Sequence, residues 1–527
     1  MGGTMSARFR DALQAVGPAL ALALAVLLIL IAAHQREPLT YDEVINVART
    51  KVGFSDYPEN VLDYSLRPVF RLWAMLLVWL FGRSLEALWL GAAILSLVTV
   101  VVLARVGRAA GGSALATAAP LLYLATPLSA NIGGSALPHL PSALPALLAT
   151  LSIVLWQRGP QDDPRRSRRL VVAAFLLAGV ALLTHPTQIS LVIALGGVTV
   201  GIVVVALVRD GWHLGERTRR ALPPVLAGYA ALAVVIALTE LAYRALAGDG
   251  TSDRLLPGLR FTYLNHWVSN VLKFDAITPR DYVKGPSYYL RYLFENHPVF
   301  FWSTIVVTAL ALLRLVRRKQ WAADAPLFIP SIVLVLWIAT ASHMGLCTPR
   351  VLVGVTPIAT ASNLLLGGYL AAALGKPGVR TGLLAVVALA AAVAGTRVVL
   401  QDRNEVRSVN PWRRANLVEP YRLLAALPPG DVAFLDEGAP AMSFAMCRYF
   451  ASATGRNIVK IASSQLTARR RGLSYICTPA DQFASVSATF RQTEELAAFR
   501  NAVKQRYFDL WVPFPIAEDA HRAAPRR

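Results

Sequence analysis

From the N-terminus to about Leu400 the sequence returns repeatedly to apolar runs of fifteen to twenty-five residues, each long enough for a helix to cross about 30 Å of hydrocarbon. Such runs need lipid around them. Hydrophobic residues make up 55% of the 527 and charged residues only 16%, a membrane composition. The formal charge of +21 would suit a nucleic-acid binder, but Lys and Arg sit in short stretches between the apolar runs. That is the footprint of membrane topology, and it excludes nucleic acid as a partner. The three cysteines, Cys347, Cys447 and Cys477, exclude a disulfide scaffold and zinc-ribbon spacing, and no nucleotide-binding or zinc-protease motif occurs. A bridge between Cys447 and Cys477 and a pair of buried free thiols both remain open.

The pattern predicts eleven transmembrane helices, over 16–33, 84–106, 114–130, 137–156, 170–183, 188–208, 221–246, 298–315, 326–341, 351–373 and 381–400. The first run follows Arg8 and Arg10 as a signal peptide would. It is too long for one and lacks a clear cleavage site, so it reads as the first span. The run 66–81 is apolar but carries Arg67 and Arg71 at its start, and loop charge decides its placement. If it lies in the interface, all the basic connections (Arg105 and Arg108, 158–169, 209–220, 314–319, and Lys376 with Arg380) share the cytoplasmic side with Arg8 and Arg10. It is therefore expected to be an interfacial helix anchored by Trp73 and Trp79.

Parity then places 34–83, 247–297 and everything beyond residue 400 on the outer face of the inner membrane, with the N-terminus cytoplasmic. Residues 1–400 read as a transmembrane domain. Residues 401–527 alternate strand-like runs (DVAFLDE, NIVKIAS, LSYICTP, YFDLWVPF) with helix-like ones such as 492–504, as in a small extracytoplasmic α/β domain. The expected fold class is thus a mainly α, polytopic membrane protein with outer interfacial helices and this appended domain.

Chemistry is sought in the outer segments. LTYDEVINVARTKVG puts Asp42 and Glu43 directly after the first span. Thr40 and Glu43 have capping-box spacing, which accounts for Glu43 by structure alone. Asp42 in the same place could instead act as a general base toward an acceptor hydroxyl.

An Asp-Glu pair opening the first outer loop, an interfacial helix entered through Arg67-Pro68, and then FGRSLEALWLGAAILSLVTVVVLARVGR resemble the membrane-embedded GT-C glycosyltransferases. The likeness is to protein O-mannosyltransferases and to bacterial transferases that put aminoarabinose or other sugars on lipid A. It runs from about Thr40 to Val208 and resumes at HMGLCTPRVLVGVTPIA; the order of the motifs is its stronger part. The resemblance implies a donor sugar carried on a polyprenyl phosphate, a cell-envelope acceptor, and Asp42 at the catalytic centre with Glu43 beside it.

It also assigns Arg67 to the carrier phosphate, where relatives often have lysine; a guanidinium fork suits phosphate oxygens, while snorkelling to headgroups is the plainer account. His185 in LLTHPTQISLV stands where lysine is usual, although a histidine at a span end also serves as a structural hydrogen-bonding group. Arg350 in CTPRVLVGVTP matches a relative's arginine and sits at an outer helix end against the positive-inside trend. His343 is a further candidate nearby. Relatives commonly have an acid near the start of the fourth span, where GGSALPHLPSALPALLA offers His139 instead. Asp249, Asp253, Asp275, Asp281 and Glu295 could compensate or could be solvated loop charges. A divalent cation stays open, because no oxygen-ligand cluster is visible. The alternative function, a flippase or transporter of lipid-linked sugars, calls for broken helices or repeats.

Overall fold

The computed structural model describes residues 2–34, 46–47, 67–82, 84–126, 128, 135–159, 163–247, 287–343, 349–374, 386–397, 431–435, 458–461, 473–479 and 511–515. In chain order the principal helices are α1 Gly2–His34, α2 Pro68–Phe81, α3 Leu85–Gly111, α4 Ser113–Leu124, α5 His139–Arg158 and α6 Pro164–Thr184. They continue with α7 Ile189–Arg209, α8 Glu216–Ala247, α9 Tyr288–Asn296, α10 Pro298–Arg318, α11 Ile329–His343 and α12 Thr356–Ala371. Short 3-10 turns, Pro186–Gln188 and Pro349–Gly354, precede α7 and α12.

Among the described residues, 8 helices are long and apolar enough to cross a membrane, and the chain is a multi-pass membrane protein. These coincide with eight of the eleven expected crossings. The run 170–183, short in the sequence, belongs to a 21-residue helix. Asp163 caps it by accepting the Arg166 N–H at 2.9 Å, and Pro164 takes the first position, so the helix starts inside the basic stretch. The other three expected crossings coincide with shorter helices: α4, α12 and Val386–Arg397. Gly112, at φ 77, breaks α3 from α4, and Pro127 follows soon after Leu124. Twelve residues reach only about 18 Å, well short of roughly 30 Å of hydrocarbon. Residues 349–354 form a 3-10 turn instead of starting the next helix, which begins at Thr356 with Pro357 in its first turn.

The 14 residues of α2 are also short of a crossing, as its interfacial reading requires. Phe70, Arg71, Ala74 and Leu77 form its buried face, while Leu72 and Trp79 are exposed, and the helix packs on α3 and α6.

Two large apolar cores, with smaller clusters beside them, hold the helices together. The larger gathers α5, α6, α7, α8 and α11 around Phe175, Leu191 and Trp337. Ala174, Ala178 and Ala181 of α6 are fully buried; small residues let neighbouring backbones come close, which is how helices associate where lipid removes the hydrophobic driving force. The second core joins α1, α3, α4 and α12. Near the C-terminus the four expected strand runs form β1 Asp431–Leu435, β2 Ile458–Ile461, β3 Leu473–Pro479 and β4 Trp511–Pro515. They make one sheet in the order β2-β1-β3-β4, parallel between β1 and both β2 and β3, and antiparallel between β3 and β4. Helix 492–504, Cys347 and Cys447 lie outside the described residues.

Candidate active site

Local sequence sets up each element of the site. His185 precedes Pro186, and a residue before proline is driven out of the helical region. It is accordingly extended, at φ −149° and ψ 125°, ending α6 and opening the 3-10 turn. Its Nδ1 accepts the Thr187 N–H at 3.3 Å and lies 2.5 Å from the Thr187 hydroxyl. With Nδ1 an acceptor, the proton of the neutral ring sits on Nε2. His139 is the first residue of α5, after Pro138 at its N-cap. Its carbonyl accepts the Ser142 hydroxyl at 2.7 Å.

The two imidazoles meet although 46 residues apart in sequence: their ring centroids are 4.3 Å apart at an interplanar angle of 48°. Both are buried. His185 lies in the turn between two spanning helices; burial foremost, then the neighbouring His139, Arg67 and Arg350, hold its pKa well below the usual histidine value. Arg67 and Arg350 thus belong to the same electrostatic neighbourhood as the two rings. Arg67 is the N-cap of α2, with Pro68 at the first helical position. Arg350 rides on the 3-10 turn Pro349–Gly354. Two guanidiniums and two N–H-bearing rings in one neighbourhood offer donors suited to an anion, and guanidinium forks match phosphate oxygens.

The turn that carries Arg350 also forms part of the wall of an apolar groove of about 240 Å³. Leu290 and Leu293 of α9, Phe300, Phe301 and Ile305 of α10, and Val335 and Ile338 of α11 line it. Leu352 and Val355 complete the wall, two and five residues from Arg350 along the chain. A site of this shape can hold a phosphate head and a hydrocarbon tail together.

Of the seven residues singled out from sequence, His139 and His185 touch, and Arg67 and Arg350 lie near enough for their charges to act on both rings. His343 is exposed at the end of α11 and is not among the described groups whose charge acts on the two rings. Asp42 and Glu43 lie outside the described residues, as do Asp249, Asp253, Asp275 and Asp281. Glu295 is a solvated helix charge, its carboxylate accepting from Arg291 at 2.7 Å one turn away. Among the described residues no three His, Cys, Asp or Glu side chains gather as metal ligands would.

Sequence reasoning passed over the polar residues that brace the cluster. Asn46 is buried, and its Nδ2 donates to the Ala136 carbonyl at 2.9 Å. Arg71, one turn after Arg67, donates to the Asn46 carbonyl at 3.4 Å. Asn46 stands four residues after Asp42, at most about 14 Å of extended chain. Asn46 is thus tied both to α2 and to the segment leading into His139. Gln188 joins the turn of His185 to Ser142, Gly354 and Trp337. A polar residue within an apolar run was the available signal at Ser142 and Gln188; nothing in the sequence marked Gly354.

Neither a family model nor a curated protein matches the chain by sequence. Among solved structures it is similar to ArnT from Cupriavidus metallidurans bound to undecaprenyl phosphate, with a TM-score of 0.58 and 14% identity over 96% of this chain and 99% of that one. It is likewise similar to ArnT from the same organism in the apo state, with a TM-score of 0.55 at 14% identity. The chain therefore has an ArnT-like fold along nearly its whole length, and the resemblance to lipid A aminoarabinose-type transferases holds at the level of the fold.

Proposed function

We propose that this protein is a glycosyltransferase of the GT-C type that moves a sugar from a polyprenyl-phosphate donor to an extracytoplasmic acceptor in the cell envelope, a lipid, glycan or protein. The observation that carries the reading is the contact of His139 with His185 within the field of Arg67 and Arg350, together with an apolar groove walled in part by the turn that bears Arg350. It occurs on a fold also found in ArnT, which has been seen with undecaprenyl phosphate bound.

In this reading the phosphate sits among the two arginines and two histidines, and the prenyl chain follows the groove past Leu352 and Val355. Asp42 takes the proton of the acceptor hydroxyl. The acceptor oxygen attacks the anomeric carbon from the face opposite the phosphate, so the configuration inverts. The bond from that carbon to the phosphate oxygen breaks, and polyprenyl phosphate leaves with the electron pair. Arg67 and Arg350 stabilise the charge that grows on it, an effect strengthened in a site with little water. Glu43 caps the helix that presents Asp42. Nucleophile and leaving group carry this chemistry without a named cation, and a divalent ion is left as an open addition. Residues 401–527 are proposed to form an extracytoplasmic α/β domain.

Incubating the purified protein with a panel of polyprenyl-phosphate sugars and an envelope-lipid extract, and measuring released polyprenyl phosphate, tests the reading. Acceptor-dependent release from any donor supports it. Movement of intact donor across vesicle membranes with no release would point to a flippase instead.

A further inference from the structure

Three of the four cluster residues sit on separate segments, His139 at the start of α5 and His185 and Arg350 on 3-10 turns, and one fully buried side chain joins all three segments. Gln188, with no exposed surface, ends the 3-10 turn that His185 opens. Its Nε2 donates to Ser142 Oγ at 3.1 Å and to the Gly354 carbonyl at 3.4 Å. Its Oε1 accepts the Trp337 indole N–H at 3.3 Å. An indole nitrogen only donates and a carbonyl only accepts, so these two partners fix which way the amide points. Ser142 in turn donates to the carbonyl of His139. Gly354 closes the turn that carries Arg350, and the approach there is close: a Cβ on Gly354 would lie 2.4 Å from Nε2 of Gln188.

We propose that Gln188 is a positioning residue that locks the turns bearing His139, His185 and Arg350 into one rigid frame around the anion site. The inference rests on the phosphate-binding reading above and adds the group that sets its geometry. Histidine and arginine side chains can be swung by small backbone shifts, and an anion site keeps its affinity only if its donors are already placed before the ligand arrives. In a water-poor interior, no solvent replaces a hydrogen bond that Gln188 gives up, so the frame has a single satisfied arrangement. Trp337 anchors it to α11, which also lines the groove through Val335 and Ile338. Head site and tail groove therefore share one support.

The test uses the full-length protein in lipid nanodiscs and undecaprenyl phosphate as the probe, with affinity and thermal midpoint measured for each variant well below that midpoint. Gln188→Leu removes all three hydrogen bonds at similar volume. Trp337→Phe keeps an aromatic ring but frees the amide to turn. Loss of about tenfold or more in affinity in either variant, from a folded population, supports the inference. If Gln188→Leu does not fold, Trp337→Phe decides. Wild-type affinity in every variant that folds, with only the midpoint lowered, overturns the inference and reduces Gln188 to a packing group. In that case the site reading still stands if Arg350→Ala has lost the probe. Failure of the wild type to bind, or an Arg350→Ala variant that binds equally well, removes the phosphate site and this inference with it.

Discussion

His139 and His185 face each other at a ring-centroid distance of 4.3 Å, buried, each at the mouth of a spanning helix. Where the family resemblance leads one to expect an acid and a lysine, this chain has two imidazoles. Replacing His185 with Phe keeps a flat ring against His139 and removes the Nε2 donor. Binding of undecaprenyl phosphate should fall roughly tenfold, the worth of one hydrogen bond to a charged group, with a thermal midpoint near wild type. An unchanged binding isotherm would take His185 out of the site.

Arg350 and Arg67 are expected to hold the phosphate through their forks. Arg350→Ala and Arg67→Ala should each weaken donor binding or slow turnover by tenfold or more, roughly 1.5–3 kcal/mol for a charge-assisted bond. Lysine at either position should recover only part, because it offers a point charge without the planar pair of donors. Steady-state kinetics with a saturating acceptor reads both effects, and two alanine variants indistinguishable from wild type would rule the pair out.

Asp42 carries the proton in the proposed mechanism, and its isosteric change tests that role. Asp42→Asn should slow transfer by about 10² to 10⁴-fold, or about 3 to 5 kcal/mol of barrier, and leave undecaprenyl phosphate binding near wild type. Glu43→Gln should cost about 1 kcal/mol of helix-start stability or less. Transfer by Asp42→Asn at the wild-type rate would send the search to the carboxylates between Asp249 and Glu295.

His297 lies buried at the α9 to α10 junction, edge-on to Tyr292 with centroids 5.5 Å apart, and neither ring nitrogen has a hydrogen-bond partner among the described residues. Burial lowers its pKa to about 4. An unfolded histidine protonates near 6.5, at about its ordinary value. Between those values the unfolded chain binds the additional proton, so stability is fully present above about pH 6.5 and is lost as pH falls toward 4. His297→Phe keeps the ring contact and should flatten that acid limb. Thermal midpoints at pH 7.5 and 5 compare the two slopes, and equal slopes would deny His297 the role.

On the loop-charge reading, the C-terminal segment is expected outside the cytoplasm. A phosphatase reporter fused after Arg527 should be active, whereas activity from a reporter that works only in the cytoplasm would invert the topology and move the proposed site with it.

Sequence by itself determined the membrane class, the eight long spans and the strand runs of β1 to β4. Each follows from local rules: a run of apolar residues must be sheltered by lipid, and a strand shows its own alternation. It also singled out Arg67, His139, His185 and Arg350 one by one, through the family resemblance and, for Arg350, its place at an outer helix end against the positive-inside trend. Their meeting was settled only by tertiary packing. Nothing local to Pro138-His139 or His185-Pro186 specifies that the two rings touch; that depends on how α5, α6 and the turn before α12 close around Gln188. Helix length was decided there too, since the 351–373 run divides into a 3-10 turn and a 16-residue helix where the Gly354 carbonyl meets the Gln188 amide. Hydrogen bonds between residues 46 and 166 positions apart leave no periodic trace in a sequence, because each partner is specified by the shape of the whole bundle and not by its neighbours along the chain.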